Sequence, residues 1–551
     1  MGMNVLIIGT GLTGMMAAAQ MKGLLASRNR NAGRMEDEIQ IELVGDGAGA
    51  SPFVHGFNIP LDERDSVETF LEDTMRGGYG LSEPELAQKL CRGSLELLPD
   101  LEKLGISLEK KDGKYVLLQP LGSSWPRVAG SGNHTGAEIL NRLTGLLKSR
   151  EDVRFTTQAR VLRLDVRDGC LKGAVLWDRR NRRLEYRSAS CALIACGGFC
   201  GIYPFSTNPA DSGGDGIGMA YDAGVPLIDM EFVQFEPSVA LYPETLRGKS
   251  VITTMFYEGA LLQNGKGERF MQRLHPGEHP ECVSKDVLSR AIYEEIRKGN
   301  TTPHGGVWFD ATGVGKEKLG KSYGSYVERY RRAGMDISQE PFEIAPGPHT
   351  SLGGIAVETD MSTAVPGIYA AGEAAGGIHG ANRIGGNAGL ETLVFGKLAG
   401  EGMLRFLNGK SVSAMADTKS GEKAFMEMLE EPCGGKRKTA GEDTLSGIRK
   451  EMQEILQKDL YLERDAEGLE AACRRLEMLS EALKETAEPQ SYERLRLEND
   501  LTCALVLAAS ARARTGSVGC HVRSDDSGED WHYHVFLQKK DGSMTVRKEK
   551  I

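Results

Sequence analysis

The chain opens on a short apolar run, Asn4–Ile8, that breaks at Gly9-Thr10-Gly11-Leu12-Thr13-Gly14 and resumes as a helical stretch to about Leu25. A polar segment, Ser27–Glu38, reads as a loop insertion, and Ile39–Val44 reads as a second strand closing on Gly45-Asp46-Gly47. Strand, glycine turn, helix and strand in this order predict one βαβ unit of a parallel sheet. Residues 66–110 alternate helical patterns with acidic turns, and Arg154–Arg187 reads as strands around a turn near Asp168-Gly169. Ser190–Ala195 reads as a buried strand ending in Cys196-Gly197-Gly198-Phe199. Residues 237–344 change texture, with more charge, more Pro and short helical pieces, and residues 345–405 return to the glycine-rich, apolar style of the first half. Residues 408–440 read as a polar linker, 441–515 show the helical period of a bundle, and 531–551 read as a strand pair around Asp541-Gly542. The expected class is α/β: a discontinuous domain (1–236 and 345–407), an inserted α+β cap (237–344), the linker, and a C-terminal helical domain (441–551) with a short β tail.

Composition narrows this picture. A chain of 551 residues with 40% hydrophobic side chains has ample material for large cores. Its 67 Lys+Arg against 77 Asp+Glu give a net charge of −10, which argues against a nucleic-acid binder. Glycine is abundant, at 69 residues, and gathers in short motifs, which suggests backbone brought close to ligands. The ten cysteines contain no Cys-x-x-Cys pair, so neither a zinc ribbon nor an iron–sulfur cluster is encoded and no metal ligand set is assigned. Free thiols without a secretory signal point to a reducing cytoplasm, and no apolar run is long enough to span a membrane.

The glycine turn after the first strand is the pattern of a Rossmann-like dinucleotide site. Its glycines admit the pyrophosphate to backbone N–H groups, and the helix N-terminus adds partial positive charge. Asp46, just past the second strand, is either the partner of the nucleotide's ribose or a solvated turn residue. This turn by itself does not separate FAD from NAD. Cys196-Gly197-Gly198-Phe199, Gly214-Asp215-Gly216 and Pro366-Gly367-Ile368-Tyr369-Ala370-Ala371-Gly372-Glu373 together have the pattern of a large flavoprotein.

At His349-Thr350-Ser351-Leu352-Gly353-Gly354 and His379-Gly380-Ala381-Asn382-Arg383-Ile384-Gly385-Gly386-Asn387 the sequence resembles the fumarate reductase/succinate dehydrogenase flavoprotein family, which includes L-aspartate oxidase. Asp229–Phe235, Gly267–Met271, Asp286–Arg290 and Gly519–Arg523 fit the same pattern, so the likeness covers nearly the whole chain. The resemblance implies FAD held by Gly9, Gly11, Leu12, Thr13, Gly14, Asp46, Ser51, Gly198, Asp215, Glu373, Asn387, Ala388 and Gly389. Some members attach FAD through a His that follows a Ser after the second strand. Here that pair reads Ser51-Pro52, so FAD is expected to be noncovalent, with His55 a neighbour of the flavin pocket.

The family reaction is reversible reduction of a C=C bond beside a carboxylate, so the site must clamp a carboxylate and deliver one proton. Arg383 resembles the clamp, since a guanidinium grips two oxygens at once. His349 resembles its partner, and Arg290 resembles the proton donor, although an arginine pKa above about 12 makes it an unusual acid. His379 is expected to support the turn. Two departures stand out. Where fumarate reductases read Gln-Phe-His-Pro, this chain reads Gln234-Phe235-Glu236-Pro237, and Glu236 facing a second carboxylate would be repulsive. The family's Thr-Glu-Gly-Cys-Arg-Gly stretch is replaced by Ile252-Thr253-Thr254-Met255-Phe256-Tyr257, leaving Thr253, Thr254 and Tyr257 as candidate substrate contacts and Tyr257 or Glu258 as candidate proton relays. The expected activity is FAD-dependent reduction of an α,β-unsaturated acid other than fumarate. The alternatives are a true fumarate reductase or succinate dehydrogenase flavoprotein, an L-aspartate oxidase-like dehydrogenase and a purely electron-transferring subunit. Electrons come from outside: an iron–sulfur subunit (which would make the chain peripheral to a membrane), a flavodoxin-like carrier or oxygen.

Overall fold

Five short strands form one parallel sheet in the order Ile368–Ala370, Cys191–Ile194, Met3–Ile8, Ile39–Val44, Val153–Thr156. All four residues of Cys191–Ile194 are buried, as a parallel strand covered on both faces requires. The helix Leu12–Met21, itself buried at every position, packs against the sheet and against the long helix Asn387–Asn408. The computed structural model describes residues 3–26, 39–209, 211–409, 419–430, 442–486 and 491–551. The expected loop Ser27–Glu38 lies outside these residues, as does most of the expected linker. Within the linker range a helix, Lys419–Glu430, is described where only polar chain is expected.

The two-residue turn at Asp168-Gly169 joins the antiparallel strands Ala159–Arg167 and Cys170–Asp178, with both turn residues at positive φ (54° and 69°), the geometry of a tight hairpin. The cap carries a four-stranded antiparallel sheet in the order Val233–Tyr242, Phe342–Ser351, Val307–Asp310, Leu261–Gln263. Its separate core gathers Phe256, Phe309, Phe342 and Tyr330, whose rings lie 4.5 to 4.9 Å apart in successive pairs. The cap limits expected at 237 and 344 fall inside its two longest strands. Those strands run unbroken between the nucleotide-binding lobe and the cap.

Three helices, Glu442–Asp459, Ala466–Glu485 and Tyr492–Ala513, form the expected C-terminal bundle. The hairpin Tyr533–Lys540/Ser543–Lys550 turns at Asp541-Gly542 and pairs with Leu227–Ile228, which in turn pairs with Gly354–Ile355. The tail thus completes a sheet of the first domain. Among the described residues no helix is long and apolar enough to cross a membrane.

Arg514 locks this junction. Its fully buried guanidinium bonds Glu231 at 2.5 Å, Asp229 at 3.2 Å and the carbonyls of Trp531 and Tyr533. Removing one partner of a buried charge network strands the others, which costs about 3–5 kcal/mol. Arg514→Met is expected to lose that much stability at pH 7, measured by urea unfolding of the holoprotein. A change below about 1 kcal/mol would mean that the junction does not depend on this residue.

Candidate active site

The nucleotide end of the site lies where the strands Met3–Ile8 and Ile39–Val44 end, the position at which open parallel sheets bind ligands. Gly9 has φ +125°, and a Cβ there would sit 2.1 Å from the Ala195 carbonyl oxygen. A Cβ on Gly14 would sit 2.2 Å from the Gly9 oxygen. Only glycine allows the turn to pass this close to the neighbouring strand. Leu12 N–H donates to Ser51 Oγ at 2.9 Å, so Ser51 anchors the start of the helix. Gly9, Asp46, Gly47, Cys196, Gly213 and Asp215 line one cavity. Asp46 lines it while pairing with the Arg179 guanidinium. Asp215, at the start of the helix Asp215–Asp222, pairs with Arg160 at 2.8 Å and accepts from Asn499 Nδ2 at 3.1 Å.

Deeper in, the Glu373 carboxyl passes over Gly198, where a Cβ would lie 2.3 Å from Glu373 Oε1. It accepts from Ser351 N–H at 3.0 Å, and burial pushes its pKa up to about 7. Asn387 begins the helix Asn387–Asn408, and its side-chain oxygen accepts from Asn58 at 2.6 Å. Asn387, Ala388 and Gly389 thus form the first turn of a long helix, whose N-terminus favours negative charge.

A third group forms where the cap meets the first domain. Gln234 and Glu236 sit two apart on Val233–Tyr242 and so share one face, while Phe235 points away onto the Tyr461 ring at 4.7 Å. Opposite them Gln234 pairs with Thr350 and Phe235 with Pro348, so His349 is the extra residue of a β-bulge. Bulges re-aim side chains and tolerate proline within a strand. Gln234 Nε2 donates to the Arg383 carbonyl and to Asn382 Oδ1, both at 2.8 Å, which fixes the Arg383 loop. Arg383 is buried and donates to Thr350 Oγ1 at 3.3 Å. The His349 ring shares a hydrogen bond with Thr207 Oγ1 at 2.7 Å through Nδ1, and its Nε2 lies 3.8 Å from Glu236. Burial, with Lys285 and Arg383 nearby, holds His349 neutral, well below the ordinary histidine range. Glu236 is ion-paired with Lys285, the first residue of the helix Lys285–Arg297.

A family model described as FAD binding domain matches residues 4–388, and one described as Fumarate reductase flavoprotein C-term matches 449–551. A fumarate reductase (CoM/CoB) chain of Methanothermobacter marburgensis is 33% identical over 490 residues, covering 87% of this chain and 88% of its own. L-aspartate oxidase of Caulobacter vibrioides is 30% identical over 536 residues, covering 95% and 93%. A solved E. coli quinol fumarate reductase chain superposes with a TM-score of 0.89 at 26% identity, covering 100% of this chain and 96% of that one. The chain belongs to the fumarate reductase/succinate dehydrogenase flavoprotein family.

It is therefore a FAD-dependent oxidoreductase. The residues present fit that cofactor. The glycine cradle at Gly9, Gly14 and Gly198 has no room for side chains, and several buried polar atoms around the Arg383 loop lack a protein partner. These are Arg383 Nε, Gln234 Oε1, His379 Nδ1, Glu391 Oε1 and Asn58 Oδ1. His379 is held by Glu391 through its other ring nitrogen.

Measured against the family pattern, Arg383, His349 and Glu236 come together and Arg290 does not. Arg290 is 57% exposed and faces Glu294 at 3.7 Å on the outer side of its helix. Lys285 and Arg290 are five residues apart, so about 140° separates them around the helix axis, and the residue turned inward is Lys285. The assignment of the proton donor to Arg290 is corrected on this ground. Nor does Glu236 present a bare anion, since Lys285 neutralises it. In the segment Thr253–Glu258, Thr253 is buried and Thr254 Oγ1 lies 3.4 Å from the Tyr323 hydroxyl. Tyr257 packs beside His279, and burial pushes its pKa up to about 12. Glu258 pairs with Lys318 at the surface, away from the cluster. Lys285 escapes a reading for motifs because a lysine opening a helix carries no signal of its own. Thr207 escapes because no motif contains it.

Gly9→Ala is expected to purify as apoprotein, with less than about a tenth of the wild-type ratio of flavin to protein absorbance. A flavin content near wild type would show that the turn tolerates a side chain despite its positive φ.

Proposed function

We propose that the chain reduces the activated C=C bond of an α,β-unsaturated carboxylic acid whose far end is neutral or cationic. The observation that carries this reading is the charge arrangement of the pocket. Lys285 and Glu236 cancel one another, His349 is held neutral, and Arg383 is left to take one carboxylate. Fumarate would bring a second. That second carboxylate would find no uncompensated cation, because Lys285 is already paired with Glu236.

Bound FAD supplies the hydride. Arg383 clamps the carboxylate and draws negative charge toward it, and His349, fixed by Thr207, offers its Nε2 side to the same region. Thr253, Thr254 and Tyr257 are the cap residues proposed to meet the far end of the substrate. Pro52 follows Ser51 where an attachment histidine would stand, so FAD is held noncovalently. An outside two-electron donor reduces it, with an iron–sulfur partner protein the arrangement favoured for this family. The setting is the cytoplasm, peripheral to a membrane when such a partner docks there. The likeness to an L-aspartate oxidase, 30% identical over 536 residues, supports L-aspartate oxidation as the second reading.

Dithionite-reduced holoenzyme mixed anaerobically with acrylic acids bearing a carboxylate, imidazole, phenol or amine at the far end tests the choice. Reoxidation at the flavin band is expected to run at least about a hundredfold faster with the neutral or cationic members than with fumarate, as a barrier difference of a few kcal/mol implies. Equal or faster reoxidation by fumarate would sink the reading. Oxygen-linked turnover of L-aspartate would establish the second.

A further inference from the structure

We infer that Lys285 is the proton donor of this site and that Glu236 positions it and keeps it charged. The inference rests on the C=C reduction proposed above.

Lys285 starts the helix Lys285–Arg297, yet its side chain is only 12% exposed and its ammonium is seated on Glu236. Glu236 is itself 3% exposed and lies 3.8 Å from His349 Nε2. One carboxylate therefore holds the lysine beside the imidazole. The charged and titratable groups that face this pair come from every element packed around it. They are His349 from the bulged strand, Arg383 from its loop, Asp286 next on the helix, and Tyr326 from the helix Gly324–Arg332. Asp286 is already engaged by the Tyr79 hydroxyl at 2.5 Å.

Of these groups, Lys285 is the one suited to give a proton near neutrality. Arg383 is committed to the carboxylate. His349 is neutral, and a neutral imidazole is a poor acid. Tyr326 is pushed up to about 12 by burial. Burial brings Lys285 down from the ordinary lysine range while Glu236 opposes that shift. An acid works best when its pKa lies near the working pH, and a lysine comes closer to that than an arginine does.

In the reduction the C=C π bond breaks and two C–H bonds form. Bound, reduced FAD would supply the hydride to the carbon β to the clamped carboxylate, and Arg383 would draw the displaced electron pair toward it. The Lys285 ammonium gives its proton to the α carbon and becomes a neutral amine, which takes a proton back from solvent at its partly exposed end. The two electrons would come, through bound FAD, from the outside donor.

Holoenzyme variants assayed on the fastest acid of the panel, with pH profiles of kcat, test this. Lys285→Gln is expected to lose about 100- to 10,000-fold in kcat, the usual worth of a general acid, while keeping its FAD and its spectral response to substrate. Lys285→Arg is expected to turn over with its alkaline limb displaced to higher pH. Glu236→Gln is expected to move that limb to lower pH, because a buried ammonium without its anion gives up its proton sooner. Arg290→Gln is expected to behave as wild type. Lys285→Gln retaining a third or more of kcat, an alkaline limb common to all variants, or an equal loss in Arg290→Gln would each overturn the assignment. If Lys285→Gln fails to retain FAD, the opposite limb shifts of the other two variants decide. A wild type inactive on the whole panel overturns the reaction and Lys285 with it, whereas an active wild type matched by Lys285→Gln overturns Lys285 alone.

Discussion

The antiparallel pairing of Val233–Tyr242 with Phe342–Ser351 is the contact on which the site depends. It runs from the nucleotide-binding lobe into the cap, and it carries Gln234, Glu236, His349 and Thr350 within a few residues of one another. A one-residue slip would turn Gln234 and Glu236 to the opposite face, toward the place where Phe235 meets Tyr461. The bulge at His349 belongs to the same pairing. It takes up the residue that would otherwise break the alternation and aims an imidazole at Glu236.

Several charges buried at this junction are tolerable because they have partners. Glu236 is met by Lys285, Glu231 and Asp229 by Arg514, and His379 by Glu391. An isolated ion in such surroundings would neutralise itself by a pKa shift. Where the fumarate reductase pattern has a histidine on the strand, this chain has an anion, and a lysine on the helix meets it. Arg383 lies buried nearby and donates to Thr350.

What could be read in advance followed from local rules. Gly9-Thr10-Gly11-Leu12-Thr13-Gly14 is legible because a positive φ and an approach of 2.1 Å leave no alternative to glycine. Asp168-Gly169 and Asp541-Gly542 are legible because hairpins of two residues demand left-handed backbone at both positions. Lys285 was not legible. A lysine opening an amphipathic helix is ordinarily a solvated charge, and the arginine five residues later is the better match by residue type. Nothing in the local pattern says which of the two turns inward.

By itself, then, the sequence determined the βαβ nucleotide site and the family, and it proposed Arg383 as the carboxylate clamp. Each of these rests on short-range geometry or on motifs several residues long. The tertiary structure alone decided which helix face meets the strand pair, that Glu236 is neutralised, and that the tail hairpin completes a sheet begun at Leu227–Ile228. These are pairings between residues tens to hundreds of positions apart. Their energies depend on burial and on the angle between packed elements, and no local pattern encodes either.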